Sequence, residues 1–190
     1  MINLSIFASG AGTNAENIIK YFDSDNEIKV KSVFCNRPDA YVIKRAEKLG
    51  IPVHMFDTKE PDWEKNVLKI LKSESADYLI LAGFLKRIPP LIIEAFPERI
   101  LNIHPALLPA YGGKGMYGER VHKAVIEAGE SVSGISIHLI NEEYDRGNVI
   151  FRAQCGITPE DTPEILANKI HDLEKRHFPE QIKNYIESKR

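Results

Sequence analysis

Cysteine is scarce in this chain, and its spacing excludes the commonest template for a metal site. The only two cysteines are Cys35 and Cys155, which lie far apart and lack the Cys-x-x-Cys spacing of zinc sites. Two buried, reduced thiols in a cytosolic protein are the expected state. No metal site of the Cys-x-x-Cys kind can therefore be written from these cysteines.

A basic excess and long apolar runs are also missing. Lys and Arg total 25 against 27 Asp and Glu, for a net charge of -2, whereas a nucleic-acid surface needs a basic excess to neutralise phosphates. Residues 1–8, MINLSIFA, lack the basic start of a signal peptide, and no segment is long enough to span a bilayer. We predict a cytoplasmic protein with small-molecule substrates that binds neither nucleic acid nor membrane.

Hydrophobic residues make up 43% of the chain and charged residues 27%, as in a compact globular domain. Short apolar runs alternate with amphipathic stretches in the first half, which is typical of β-α-β units in a parallel sheet. Residues 133–140 and 148–157 are predicted to be antiparallel neighbours, followed by two helices separated at Pro179. The predicted fold is α/β, a Rossmann-like, doubly wound, mostly parallel sheet with a C-terminal antiparallel extension, in a single domain at 1–190.

A glycine-rich loop, Gly-x-Gly-x-x-Ala at 10–15, follows the first predicted strand. Such a loop turns backbone N–H groups toward an anion at the start of a helix. A dinucleotide site also needs an acidic residue at the tip of the second strand, where this chain has Asn36 and Arg37. Arg37 could meet the extra phosphate of NADP, and a tight turn without ligand is a further alternative. Because Thr13 and Asn14 add side-chain donors, we favour a monophosphate.

The segment RILNIHPALLPAYGGKG (99–115) carries the best candidates for catalysis. Side chains two apart on a strand share a face, so Asn102 and His104 point the same way, and Pro105 places them at the strand's C-terminal end. An amide that binds an oxyanion beside an imidazole that moves a proton suits acyl-type transfer. An ordinary histidine near a strand end is the competing interpretation.

Asp145, in the predicted turn between two later strands, is the candidate third group. A carboxylate near His104 would fix its tautomer, favour the imidazolium and raise its pKa. An ordinary turn residue is the alternative, since spacing alone does not show that Asp145 reaches His104.

Five segments together carry a resemblance to a known family. SGAGTN, DYLILAGF, ILNIHPALLPAYGGKG, SGISIHLINEEYDRGNVIF and DLEKRHFP occur here in the order found in phosphoribosylglycinamide formyltransferases, over nearly the whole chain. The resemblance implies the formyltransferase fold and formyl transfer from 10-formyltetrahydrofolate to glycinamide ribonucleotide in purine biosynthesis. It also implies a monomer or homodimer with no metal and no tightly bound cofactor, the folate acting as co-substrate.

The resemblance also implies roles for matching positions. Asn102 and His104 match the catalytic pair, and Asp145 matches the carboxylate that tunes the histidine. The substrate phosphate and ribose are expected at Gly12, Thr13, Asn14 and Glu174, with His171 one helical turn before Glu174. The folate is expected against Leu85, Lys86, Arg87, Ile88, Asn102 and Asn141.

Two departures and three rivals stay open. Lys86 and Arg87 stand where relatives carry one basic residue, and the loop at 110–125 has extra glycines, which suggest either a mobile cover over the folate or a surface loop. Methionyl-tRNA formyltransferase adds a tRNA-binding domain and formyltetrahydrofolate deformylase a regulatory domain, and we expect neither addition here. A nucleotide-sensing Rossmann module is the non-enzymatic alternative.

Overall fold

The apolar run at 2–8 predicts the first strand and the stretch from Thr13 to Phe22 predicts the first helix, and both form there. In the computed structural model, which describes residues 1–190, β1 is Ile2–Ala8 and α1 is Thr13–Phe22. β1 is buried along most of its length because β2 (Ile28–Cys35) and β4 (Tyr78–Leu81) pair with it on its two edges. The buried face of α1 has the 3.6-residue period of an amphipathic helix and consists of Ala15, Ile18, Ile19 and Phe22.

The chain divides into two compact units, 1–101 and 102–190. In the first unit the strands pair in parallel, β1 with β2 and β4, and β2 with β3 (Val53–Met55). Its core includes Phe7 stacked on Phe34, with ring centroids 4.8 Å apart. The remaining helices of this unit are α2 (Val42–Lys48), α3 (Trp63–Ser73) and α4 (Pro90–Ala95), and the unit boundary falls within β5 (Ile100–His104).

In the second unit the last two strands pair in antiparallel fashion. It contains α5 (Glu119–Glu127), β6 (Val132–Leu139), β7 (Val149–Gly156) and α6 (Pro163–Ser188). β6 pairs with β7 from Val132↔Gly156 to His138↔Val149, with a register shift near His138. The predicted antiparallel extension is therefore confirmed.

All seven strands belong to one sheet in the order β3-β2-β1-β4-β5-β6-β7. This confirms the predicted α/β class, with a mostly parallel sheet and an antiparallel C-terminal pair. The single domain at 1–190 stays a prediction, since a division into compact units does not test it.

The prediction of two C-terminal helices separated at Pro179 is wrong. α6 runs without interruption through Pro179, which is itself buried. A proline inside a helix costs about 3 kcal/mol because it removes a hydrogen bond and clashes with the preceding turn. Burial stabilises each large apolar side chain by about 1.5–3 kcal/mol, and Ile182, Tyr185 and Ile186 are all buried beyond the proline. The continuing apolar stripe outweighs the local defect.

The loop expected at 110–125 is also shorter than predicted. α5 begins at Glu119 and buries Val121, His122 and Val125, so only residues 110–118 of the segment lack regular structure. The many glycines of the segment indicated a loop, so the helical spacing of the apolar residues after Gly118 was not recognised.

Both cysteines are free, as expected. Cys35 is buried, but Cys155 is partly exposed, so the prediction that both are buried is wrong for Cys155. Among the helices, none combines the length and the apolar character that crossing a bilayer requires.

Gly134 provides a test of how closely β6 and β7 pack. A Cβ at this position would lie 2.0 Å from the Ala153 carbonyl oxygen, a backbone atom that cannot turn aside. We expect Gly134→Ala to destabilise the protein by about 1–3 kcal/mol and to lower its Tm in thermal unfolding.

Gly156→Ala is the matched control, because Gly156 lies on β7 and a Cβ added there would meet no atom within 4 Å. Its effect should stay within about 0.5 kcal/mol. Equal losses in the two variants would contradict the proposed steric role of Gly134.

Candidate active site

The C-terminal end of β5 brings two polar side chains to one face, as the sequence predicts. Asn102 and His104 alternate with buried Ile103, and Pro105 follows directly. The chain after Pro105 is held by Ser136 of β6, whose Oγ accepts from the Leu108 N–H at 2.9 Å and donates to the Ala106 carbonyl at 2.8 Å. His104 is only 3% exposed, so its charge state depends on its immediate neighbours.

Asp145 lies in the turn between β6 and β7, in the left-handed backbone region with φ of 53°. Aspartate tolerates this region better than most residues. The Gly113 N–H donates to Asp145 Oδ2 at 2.8 Å. A Cβ at Gly147 would lie 1.6 Å from the Leu139 carbonyl oxygen, so the turn closes only because glycine stands there. The carboxylate is thus held by one backbone N–H, on a turn whose path is restricted by close packing.

The Asp145 carboxylate lies between two imidazoles. Its Oδ2 is 3.7 Å from His104 Nδ1, and its Oδ1 is 3.6 Å from His138 Nε2. These distances allow ion pairs but exceed ordinary hydrogen bonds. Asp145 therefore reaches His104, which spacing along the chain could not show.

The tautomer of His104 follows from its second contact. His104 Nε2 lies 2.7 Å from the Tyr111 carbonyl oxygen, which can only accept, so Nε2 carries a proton. A neutral ring would then turn the lone pair of Nδ1 toward the carboxylate. Only the imidazolium offers an N–H to both Tyr111 and Asp145, so this arrangement favours the charged ring.

Burial opposes that preference. Desolvation lowers the pKa of His104 below its ordinary value, although Asp145 and the Tyr111 carbonyl both raise it; His138 lowers it further. Asp145 shifts the pKa in the direction that the sequence analysis expects, but burial is the larger influence and sets the net direction. Burial raises the pKa of Asp145, yet His138, the Gly113 N–H and His104 together bring it below its ordinary value.

His138 is the member of this site that the sequence analysis did not assign. It is fully buried on β6, and its Nδ1 donates to the Leu139 carbonyl at 3.1 Å. In the neutral ring the remaining nitrogen, Nε2, accepts from the Asn102 amide at 2.9 Å, whereas the pairing with Asp145 requires the protonated ring. This contact orients Asn102 and leaves the second N–H of the same amide nitrogen for a reacting oxygen. The alternation of polar and apolar residues along β6 sets Ser136 and His138 on one side of the strand. This pattern was the sequence signal that could have identified His138.

In the first unit, the Gly12–Asn14 loop leads into α1 as predicted. Gly12 has φ of 75°, and a Cβ there would lie 2.5 Å from Val42 Cβ, so the loop packs against α2 only with glycine. Arg45 Nε donates to the Ala11 carbonyl at 2.9 Å, and its Nη1 pairs with Glu16. Thr13 is exposed at the first position of α1, where backbone N–H groups lack helical partners.

The predicted folate segment of the first unit differs in exposure along its length. Leu85 is 41% exposed, Lys86 and Arg87 are exposed, and Ile88 is buried. The Leu85 N–H donates to Ser9 Oγ at 3.1 Å. Leu85 therefore presents an apolar side chain on a backbone that is held in place.

Two further predicted residues lie in the second unit. Asn141 is exposed after β6, and its Oδ1 accepts from the Glu143 N–H at 3.0 Å. Glu174 is buried on α6, only 8% exposed. The roles assigned to both stay predictions.

Comparison with known proteins supplies a family. The family model described as Formyl transferase matches residues 2–182. The chain is 40% identical over 186 residues to the chloroplastic phosphoribosylglycinamide formyltransferase of Arabidopsis thaliana, covering 94% of this chain and 63% of that protein. It is 32% identical over 191 residues to the phosphoribosylglycinamide formyltransferase of Bacillus subtilis, covering 98% of this chain and 95% of the relative.

A solved structure agrees with these relatives. The crystal structure of phosphoribosylglycinamide formyltransferase from Streptococcus pneumoniae superposes with a TM-score of 0.88 at 32% identity, covering 98% of this chain and 99% of that one. The chain spans less than two thirds of the Arabidopsis thaliana relative.

The contact between Asp145 and His104 makes a prediction about protonation. Asp145→Asn keeps the side-chain shape and an acceptor for Gly113 but removes the charge that favours the imidazolium. The pKa of His104 should therefore fall further below its ordinary value, as measured by NMR titration of the imidazole resonances.

Glu143→Gln serves as the control, because it removes an exposed acid two residues away in the same turn. It should leave the pKa of His104 unchanged. A His104 pKa that does not move in Asp145→Asn would remove the carboxylate from the electrostatics of the site.

Proposed function

The chain belongs to the phosphoribosylglycinamide formyltransferase branch of the formyl transferase family, and on that premise we propose that it transfers the formyl group of 10-formyltetrahydrofolate to the amino group of glycinamide ribonucleotide. The products are formylglycinamide ribonucleotide and tetrahydrofolate, in de novo purine synthesis. This proposal is carried by one cluster of contacts: Asp145 lies 3.7 Å from His104 and 3.6 Å from His138, and His138 lies 2.9 Å from the Asn102 amide.

The reaction needs few catalytic groups. The neutral substrate amine is already nucleophilic and attacks the formyl carbon directly, without an activated serine or cysteine. The formyl oxygen becomes an oxyanion, which the Asn102 amide N–H stabilises. A donor of this kind contributes about 2.7–4 kcal/mol to the transition state in enzymes where it has been removed. His138 supports Asn102 by holding its amide in one orientation.

Proton balance defines the role of His104. When the tetrahedral intermediate collapses, the bond between the formyl carbon and the folate nitrogen breaks, and that nitrogen takes up a proton. The imidazolium of His104 supplies it, and the former amine, positively charged after attack, returns one proton to the site. Because His104 Nε2 donates to the Tyr111 carbonyl, a substrate atom must replace that carbonyl as acceptor. Asp145 maintains the imidazolium against burial.

Binding roles are proposed for the remaining candidates. Gly12, Thr13 and Asn14 bind the substrate phosphate, which suits the exposed start of α1 because its N–H groups and helix dipole favour an anion. Glu174 hydrogen-bonds the ribose hydroxyls, for which a carboxylate is a strong acceptor.

The folate is proposed to contact Leu85, Lys86, Arg87, Ile88, Asn102 and Asn141. The exposed side chain of Leu85 suits a flat heteroaromatic ring, and Lys86 and Arg87 are proposed on the pterin side of the same ligand. The segment at 110–118 as a mobile cover stays a prediction. We also propose a cytoplasmic monomer or homodimer that acts without a tightly bound cofactor.

The reaction class can be tested by following tetrahydrofolate release. The purified protein with 10-formyltetrahydrofolate should release product only when glycinamide ribonucleotide is added, because its amine is the nucleophile. His104→Ala should release it about 10²- to 10⁴-fold more slowly, since the proton donor is lost. Release at the same rate without the ribonucleotide would identify a hydrolase instead.

The phosphate loop can be tested by a charge at Thr13. Thr13→Glu should raise the KM for glycinamide ribonucleotide at least about tenfold through repulsion of the phosphate and leave the KM for the folate nearly unchanged. A carboxylate in the first turn of α1 is favourable for the helix, so folding should not suffer.

Thr13→Gln has nearly the same size as Thr13→Glu without its charge and is the matched control. Its KM for the ribonucleotide should lie much closer to the wild-type value. If the two variants behave alike, or if both substrates weaken together, the loop does not bind the phosphate.

A further inference from the structure

The glycine-rich loop after β1 is hydrogen-bonded to α2 through two of its carbonyl groups. The Val42 N–H donates to the Gly10 carbonyl at 3.1 Å, and Arg45 Nε donates to the Ala11 carbonyl at 2.9 Å. Val42 also packs closely on Gly12, where an added Cβ would lie 2.5 Å from the Val42 Cβ. Three successive residues of the loop are therefore fixed by two residues of α2 that lie about one helical turn apart.

This attachment sets the direction of an N–H group in the loop. In a trans peptide bond the carbonyl of one residue and the N–H of the next point in opposite directions, and the peptide bonds of this loop are trans. Because the Ala11 carbonyl points toward Arg45, the Gly12 N–H points away from it. Gly12 has no side chain, so this N–H is the group through which it can bind the substrate phosphate.

The guanidinium of Arg45 adds a charge to this orientation. A cation that hydrogen-bonds the carbonyl of a peptide group polarises the group and makes its N–H a stronger donor. The Arg45 side chain is 28% exposed, and its Cζ lies 5.0 Å from the centroid of the Tyr41 ring, so its position is restricted on one side. Arg45 can therefore strengthen the Gly12 N–H from the opposite end of the peptide group.

Glu16 is the second partner of this guanidinium. It lies in the first turn of α1, where a carboxylate favours the helix but repels an anion bound at the same end. Glu16 pairs with Arg45 and with Lys20, and these two cations offset its charge. The pairing also holds the guanidinium beside the loop, with Nε left for the Ala11 carbonyl.

We propose that Arg45 is a positioning residue for the substrate phosphate, which directs the Gly12 N–H toward the anion through its hydrogen bond to the Ala11 carbonyl. This inference rests on the proposed function and adds to it a residue of α2 that the sequence analysis did not assign. Arg45 acts through the loop and not on the reacting atoms. Its loss should therefore weaken binding of the ribonucleotide and leave the chemical step intact.

Arg45→Met removes the donors and the charge but keeps an unbranched side chain of similar helix propensity. We expect the KM for glycinamide ribonucleotide to rise about tenfold, with kcat and the KM for the folate within about twofold of wild type, because only ribonucleotide binding is lost. Isothermal titration calorimetry with the ribonucleotide alone should show the same tenfold loss. An unchanged ribonucleotide KM, or an equal rise for both substrates, would overturn the proposal.

Glu16→Gln separates the loop contact from the ion pair. It breaks the same pair from the other side but leaves the hydrogen bond between Arg45 and the Ala11 carbonyl. Both variants should lower the Tm, since each removes the pair. The KM for the ribonucleotide should rise only in Arg45→Met and should stay constant or fall in Glu16→Gln, because a negative charge near the phosphate is removed. A similar rise in both variants would assign the effect to the ion pair and refute the positioning role.

Arg45→Lys separates the hydrogen bond from the charge and covers the case in which Arg45→Met fails to fold. Lysine keeps the positive charge but has a methylene group at the position of Nε, which cannot donate to the Ala11 carbonyl. The KM for the ribonucleotide should still rise, by at least about threefold. A wild-type KM in Arg45→Lys would show that charge alone is sufficient, contrary to the proposal.

Lys44→Met is the matched control, because it removes an exposed cation from the neighbouring position of α2, 5.9 Å from the centroid of the Tyr41 ring. Its KM for the ribonucleotide should stay within about twofold of wild type. A rise equal to that in Arg45→Met would point to the general charge of the helix and would contradict a role of the Ala11 contact.

Ribose 5-phosphate is a probe that distinguishes failure of this inference from failure of the proposed function. If the wild type binds ribose 5-phosphate but no glycinamide ribonucleotide, the proposed function fails, and a tenfold weaker binding of ribose 5-phosphate by Arg45→Met would still support the positioning role. If the wild type binds the ribonucleotide and Arg45→Met binds it equally well, only this inference fails. If the wild type binds neither compound, both fail.

Discussion

One carboxylate, that of Asp145, organises the polar cluster at the end of β5. The Gly113 N–H holds Oδ2, and the two oxygens face His104 and His138 at 3.7 Å and 3.6 Å. The influence of this group extends further, because His138 accepts from the Asn102 amide. The Asp145 charge therefore favours protonation of His104. It also lies beside His138, the ring that orients the Asn102 amide. The two groups of the proposed chemistry, an acid and an oxyanion donor, are coupled through it.

Backbone packing brings the carboxylate into this position. A Cβ at Gly112 would lie 2.6 Å from Leu108 Cδ2 and 3.1 Å from Asp145 Cβ, and Gly147 is restricted by the Leu139 carbonyl oxygen. The glycines on both sides of Asp145 thus permit a close approach of two loops. This gives the glycine-rich sequence after Tyr111 a packing role in the resting structure, alongside any freedom of movement it provides.

The sequence predicted correctly those elements whose hydrophobic pattern is complete within a short window. β1 and α1 match their predicted bounds because a continuous apolar run and a 3.6-residue stripe are both visible in short windows. The helix through Pro179 was not predictable in this way, since the compensating burial of Ile182 and Ile186 depends on tertiary packing. For the site, strand alternation paired Asn102 with His104, but the reach of Asp145 and the part played by His138 depend on the path of two loops. Desolvation has no signature in the sequence, so the net direction of the His104 pKa could not be predicted from it.

The lowered pKa of His104 has two opposite effects on the proposed reaction. A weaker base is a stronger acid, so the imidazolium gives its proton more readily to the departing folate nitrogen, but a smaller fraction of the free protein carries that proton at neutral pH. Burial makes the His104 imidazolium a stronger acid but lowers the fraction of the protein that carries it. Asp145 raises that fraction again. The Tyr111 carbonyl acts in the same direction, because its contact with Nε2 stabilises the proton. A developing oxyanion beside the ring would favour the imidazolium still more, so the charged form becomes most stable as the reaction begins to need it.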